Sequence, residues 1–245
     1  MPELDPQEND SDVGGSNPLT TAVNIITAPT QAFSAIRLHP SSLLPLSTVL
    51  VSVMLVTGWY FAILDFDWYI DDTLSRIPDL QGAELEEARE GMAALSKRGM
   101  LLIGVLGSAL SLLAIYLLQT AYLSLVAALR GDELRFRQWF SLVCWTNLPS
   151  LFVSMSMAVT ILLNPSGQLS NYDLNALSLY NLGMQSDNQS LNQVFAALSL
   201  VQFWSLALLV AGYRQWAGTS VQRASATVLT PYLLIFGIWT NFALT

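Results

Sequence analysis

Five long stretches of this chain, at about 43–64, 99–129, 138–163, 191–213 and 224–244, contain no charged residue, and polar segments separate them. An α-helix rises 1.5 Å per residue, so about 20 apolar residues cover the roughly 30 Å hydrocarbon core of a bilayer. Each stretch reaches that length. Residues 99–129 exceed it, which predicts a tilted helix or one that projects beyond the bilayer. The expected fold class is therefore all-α, a polytopic membrane protein built as a bundle of about five transmembrane helices.

The remaining segments follow other periods. Residues 1–16 combine five acids with Pro, Gly, Ser and Asn, and read as a disordered acidic tail. Residues 17–42 open with Asn17 and Pro18, an N-cap and first-turn pair, and place Leu19, Val23, Ile26, Phe33 and Ile36 at helical spacing. Pro29 should kink or restart this helix, and Thr20, Thr21, Asn24, Thr27, Gln31 and Ser34 form its polar face. That pattern predicts an amphipathic helix in the membrane interface, and fits equally one that covers the bundle. Trp59, Tyr60, Trp68 and Tyr69 mark the far boundary of the first span. Leu85, Ala88, Met92 and Leu95 predict a short amphipathic surface helix over 84–96, and 164–190 reads as a polar loop.

Composition agrees with lipid as the solvent: 53% of residues are hydrophobic and 11% charged, against roughly 25% charged in an average soluble domain. The net charge of -8 comes largely from Glu3 to Asp12 and from Asp65 to Glu90, so no nucleic-acid surface is expected. Cys144 is the single cysteine and His39 the single histidine, so neither an intrachain disulfide nor a zinc site can be assembled from them. There is no phosphate-binding glycine loop and no serine elbow with partners. The spans lack the intramembrane acid or base that marks coupled transport. These absences predict a protein without enzymatic activity, cofactor or metal. The run Glu84, Glu86, Glu87 and Glu90 reads as a solvated helix face.

Five spans put the termini on opposite sides, and basic residues choose between the two orientations. With the N-terminus inside, Arg37, Arg130, Arg135, Arg137, Arg214 and Arg223 are cytoplasmic, most of them in short loops where the rule acts best. Arg76, Arg89, Lys97 and Arg98 then share an outer loop with nine acids. The expected location is a bacterial cytoplasmic membrane, N-terminus inside and C-terminus outside. Polar residues within the spans form a candidate intramembrane cluster: Gln119, Asn147 with Pro149, Gln202 with Ser205, and Thr230 with Pro231. They either line a polar cavity or hydrogen-bond between helices. Gly104 with Ser108 and Gly107 with Ser111 allow close helix approach, within one chain or in a homo-oligomer.

Three passages resemble the Ypt-interacting protein family, Yip, and specifically its bacterial members. They are APTQAFSAI at 28–36, with Pro29 and Phe33; LRGDELRFRQWFSLVCWTNLPSLF at 129–152, with Gly131, Phe136 and Pro149; and 216–234, a basic loop, small residues and Pro231. The likeness extends over about 18–245. It implies a five-span helical membrane domain without catalytic activity, associated in eukaryotic relatives with small GTPases and with shaping or trafficking membranes. The Asp-Leu-Tyr-Gly-Pro stretch of those relatives is absent, so GTPase binding is not carried over.

The expected function is a scaffold or adaptor that engages membrane lipids, or a membrane or cytoplasmic protein, through Arg130, Arg135, Phe136, Arg137, Trp139, Arg214, Trp216 and Arg223. The alternative is a small passive transporter or channel with a polar path between the helices.

Overall fold

A computed structural model describes residues 17–77 and 80–244; the tail expected at 1–16 lies outside the described residues. Asn17 caps α1 (Pro18–Thr27), its side chain accepting the Leu19 N–H at 3.0 Å. Pro29 starts α2 (Pro29–Leu38) after a one-residue break. There follow α3 (Leu43–Ile63), α4 (Phe66–Ser75), α5 (Ala83–Ala94) and the 35-residue α6 (Ser96–Arg130), which Gly131 ends in the left-handed region at φ 76°. The pair α7 (Phe136–Thr146) and α8 (Leu151–Leu163) flanks a 3-10 turn at Leu148–Ser150 that contains Pro149. The last three are α9 (Gln189–Ala197), α10 (Leu200–Ala217) and α11 (Val221–Leu244).

Four segments, Leu43–Ile63, Ser96–Arg130, Phe136–Leu163 and Val221–Leu244, are long and apolar enough to cross a membrane. The fourth expected stretch, 191–213, differs from a plain span. Main-chain bonds from Leu179 N–H to Leu198 O (2.8 Å) and from Leu200 N–H to Leu177 O (3.1 Å) lay the loop beside residues 198–200. That pairing splits the stretch into α9 and α10, and α10 runs on to Ala217. Irregular backbone at such a place is tolerated where protein rather than lipid surrounds it.

Two cores close the two ends. The larger joins Phe33 and Ile36 of α2, Trp139 to Leu148 around α7, Leu206 to Trp216 of α10 and the first turns of α11. At the opposite end, Val56, Tyr60, Phe61 and Leu64 of α3 pack with Tyr69, Ile161, Leu169 and Leu174. Tyr60 and Tyr69, expected at the lipid boundary, are buried there, and the Tyr60 hydroxyl donates to Leu169 O at 2.8 Å. The loop expected over 164–190 is thus partly core.

Free carbonyls join the helices. Ser41 O, just before the α3 cap Ser42, lies outside the helix ladder, and Trp145 Nε1 and Ser141 Oγ of α7 donate to it at 2.7 and 2.9 Å. Pro231 leaves Thr227 O free inside α11, and the Tyr122 hydroxyl of α6 donates to it at 2.9 Å. An unsatisfied carbonyl in lipid costs several kcal/mol, so Pro231 creates a demand that a neighbouring helix meets.

The N-terminal segment departs from its expected stripe. Thr21, Ile25, Ala32, Phe33 and Ile36 are buried, whereas Leu19, Val23 and Ile26 point outward. Of the two placements that its pattern fits, α2 takes the one over the bundle, docked on α7 and α10. The surface helix expected at 84–96 forms as α5, but it buries no residue. Gly104 packs against the Phe61 ring inside the chain, while Gly107 faces open space.

Candidate functional site

The end of the bundle made by α2, the α6–α7 turn and the α10–α11 turn carries six arginines against two acids, Asp132 and Glu133. One arginine is structural: Arg130 donates to the Tyr213 hydroxyl at 2.9 Å and to Ala217 O at 3.1 Å, and pairs with Asp132 at 3.6 Å. Arg37, Arg135, Arg137, Arg214 and Arg223 are exposed and make no ion pair among the described residues. Gln138 fixes their frame, accepting the Arg135 N–H at 2.9 Å and donating to Arg37 O at 3.2 Å. Phe136 is half exposed and stacks on Phe140.

Trp139 and Trp216, expected on this contact surface, belong to its floor. Trp139 is fully buried, 5.5 Å from the Tyr213 ring and 5.6 Å from that of Trp216. Trp216 donates to Phe33 O at 3.0 Å, so it fastens α2. Their position beside basic residues resembles an interfacial belt in sequence; packing against α2 removes both from the surface.

The opposite end carries the reverse charge. Asp71, Asp72 and the glutamates of α5 belong to it, and Arg76 and Arg89 pair with Asp72 at 2.7 Å and Asp71 at 2.8 Å. The Asp72 carboxylate raises the Arg76 pKa above the usual arginine value. Asp65 caps α4; hydrogen bonds from the Gln168 side chain and the Trp68 N–H hold its carboxyl below the usual carboxylate range.

Between the ends, four of the intramembrane polar residues converge. Gln119 of α6, Asn147 at the end of α7, and Gln202 and Ser205 of α10 line a cavity of about 80 Å³ with Tyr232 of α11. Asn147 Nδ2 donates to Val143 O at 2.9 Å and lies 3.5 Å from Gln119 Oε1. Pro149 is buried in the turn below α8. Thr230 does not join: it is exposed, and its hydroxyl donates back to Ala226 O. Pro231 lines an adjoining apolar cavity instead. Tyr122 and Tyr232 were not singled out by sequence reasoning. The signal for Tyr122 was Pro231 itself, because a freed carbonyl in a span demands a donor from a neighbour.

The family model described as the Yip1 domain matches residues 23–242. The chain belongs to the Yip1 family. Its apolar helices and that membership make it an integral, multi-pass membrane protein. No curated protein and no solved structure matches the chain. In this Yip1 protein the Pro29 and Phe33 motif builds the helix that caps the arginine end, with Phe33 fully buried. Pro149 forms the turn between α7 and α8, and Pro231 sets the α6–α11 contact.

Proposed function

We propose that this Yip1 protein is a non-enzymatic membrane scaffold or adaptor whose arginine end engages anionic lipid headgroups or an acidic protein surface. The observation that carries the reading is the set of exposed arginines around Phe136 that make no ion pair among the described residues, held on a buried aromatic floor. Arginine suits this task because its planar fork matches carboxylate and phosphate groups. The same residues favour a cytoplasmic placement of that end, with the C-terminus outside. Tyr213, Leu142 and Trp139 are packed between the mid-depth cavity and the arginine end, which supports an adaptor over a passive solute path.

The test is photo-crosslinking in native membranes from positions 137 and 214, with position 87 on α5 as the contrast. Recurrent adducts from the arginine end, lost after Arg135→Glu with Arg223→Glu, are expected. Equal adducts from both ends, or none from the arginine end, overturn the reading.

A further inference from the structure

The contact between Tyr122 and Thr227 joins α6 to α11 at one level, and beside it the two helices part. The cleft holds an apolar cavity of about 160 Å³ lined by Ile115, Leu118, Leu209, Pro231 and Ile235. Leu118 and Ile235 are 70% and 62% exposed, so the mouth lies on the outer face of the bundle, where lipid chains are the solvent. Gln119 and Tyr232 line both this cavity and the inner 80 Å³ cavity that reaches Asn147, Gln202 and Ser205. The apolar cleft on the lipid side and the polar pocket therefore adjoin across a shared wall.

That pocket has hydrogen-bonding capacity left over. The Tyr232 hydroxyl is buried and has no hydrogen-bond partner among the described residues. Among the described residues the Gln202 and Ser205 side chains make no hydrogen bond, and Gln119 has only its 3.5 Å contact with Asn147. Tyr232 stands midway along α11, about half of the roughly 30 Å hydrocarbon core from either surface, and unpaired polar groups at that depth are costly. Among the described residues no charged side chain lines either cavity. A phospholipid phosphate stays at the interface and cannot reach this level. A neutral oxygen on an apolar body can, because a carbonyl accepts from the tyrosine hydroxyl and the glutamine amides, while a hydroxyl both accepts and donates.

We propose that the α6–α11 cleft binds a neutral, oxygen-bearing lipid, with its apolar body between Leu118 and Ile235 and its carbonyl or hydroxyl on Tyr232, Gln119 and Gln202. This site is separate from the arginine end and does not depend on the adaptor reading.

The experiment is native mass spectrometry of the full-length protein released from detergent containing decylbenzoquinone, hexadecanol or hexadecane. One oxygen-bearing probe is expected to be retained in a one-to-one complex, at least tenfold above hexadecane. Retention of the quinone identifies a ring carbonyl as the ligand oxygen, and retention of the alcohol identifies a chain hydroxyl. Leu118→Trp fills the mouth from an exposed position and should abolish retention without loss of fold, checked by circular dichroism. Tyr232→Phe with Gln202→Leu should reduce the oxygen-bearing probe to the hexadecane level. Equal retention of all three probes, retention of none, or retention unmoved by Leu118→Trp overturns the proposal and leaves water as the partner of these groups.

Discussion

The arginine end and the acidic end of the bundle are closed by different chemistry. At the arginine end, long side chains reach across to main-chain oxygens: Trp216 to Phe33 O, Trp145 to Ser41 O, Gln138 to Arg37 O and Arg130 to Ala217 O. At the acidic end much of the closure is main chain on main chain, as in Asp65 N–H to Gly167 O at 3.0 Å and Leu179 N–H to Leu198 O at 2.8 Å. The first end depends on residue type, since a lost indole removes both volume and donor. The second has side-chain donors of its own, Tyr60 to Leu169 O and Lys97 to Leu64 O, and adds to them a dependence on backbone geometry, with sensitive positions where only one conformation fits.

The largest effect should follow Trp139→Ala. The side chain is fully buried between Tyr213 and Trp216, and truncating such an aromatic costs about 3–5 kcal/mol. Trp68→Ala, at a half-buried position of the acidic end, should lose less than half of that. Thermal unfolding of both variants in one detergent decides, and equal losses would break the contrast.

Glycines with the same backbone sharpen it next. Gly167 has φ 74°, and a Cβ there would collide with Ile63 O and sit 3.0 Å from Asp65 N. Gly131 has φ 76° but open space around it. Both alanine variants carry the left-handed strain of roughly 1–2 kcal/mol, and only Gly167→Ala should lose the hydrogen bond to Asp65 as well. Hydrogen exchange at the Asp65 amide is the readout: faster in Gly167→Ala, unchanged in Gly131→Ala.

A smaller effect tests how Pro231 recruits a donor. Tyr122→Phe removes the donor to Thr227 O and should cost about 0.6–1.7 kcal/mol, the range of interhelical hydrogen bonds in membranes. In a Pro231→Ala background, the new N–H at 231 can meet the same oxygen, so the cost of Tyr122→Phe should shrink. A double-mutant cycle by unfolding measures this, and strict additivity would refute the coupling.

The smallest effect is at Asp65. Its pKa in the folded protein lies below the ordinary 3.8, so its ionised form contributes stability above that value and loses it as pH falls through the folded pKa. The melting temperature of the parent should exceed that of Asp65→Asn near neutral pH, with the gap closing below about pH 4. A gap independent of pH would exclude a role for the charge.

Much of the fold was legible along the chain. Uncharged runs located the helices, Asn17 with Pro18 located the first cap, and Pro29 located the restart between α1 and α2, because desolvation and missing N–H groups are local costs. The polar residues of the spans were visible too, and Gln119, Asn147, Gln202 and Ser205 converge on one cavity. Their convergence was not readable from spacing, which gives the turn a residue occupies but not the helix that faces it. Trp139 and Trp216 were misplaced for the same reason, since an indole beside arginines satisfies an interface and a core equally well until a neighbour is present.

By itself, then, the sequence determined that the chain enters lipid, roughly where its long apolar helices lie, and how charge divides between the ends, since these depend on each residue's own transfer free energy and backbone chemistry. Only the tertiary structure decided which aromatics are floor and which are surface, which donors meet Ser41 O and Thr227 O, and where residues 177–180 split the fourth stretch. Those outcomes depend on contacts between residues far apart in the chain, 183 positions for Trp216 and Phe33 and 185 for Gln215 and Thr30. No local pattern encodes such distances.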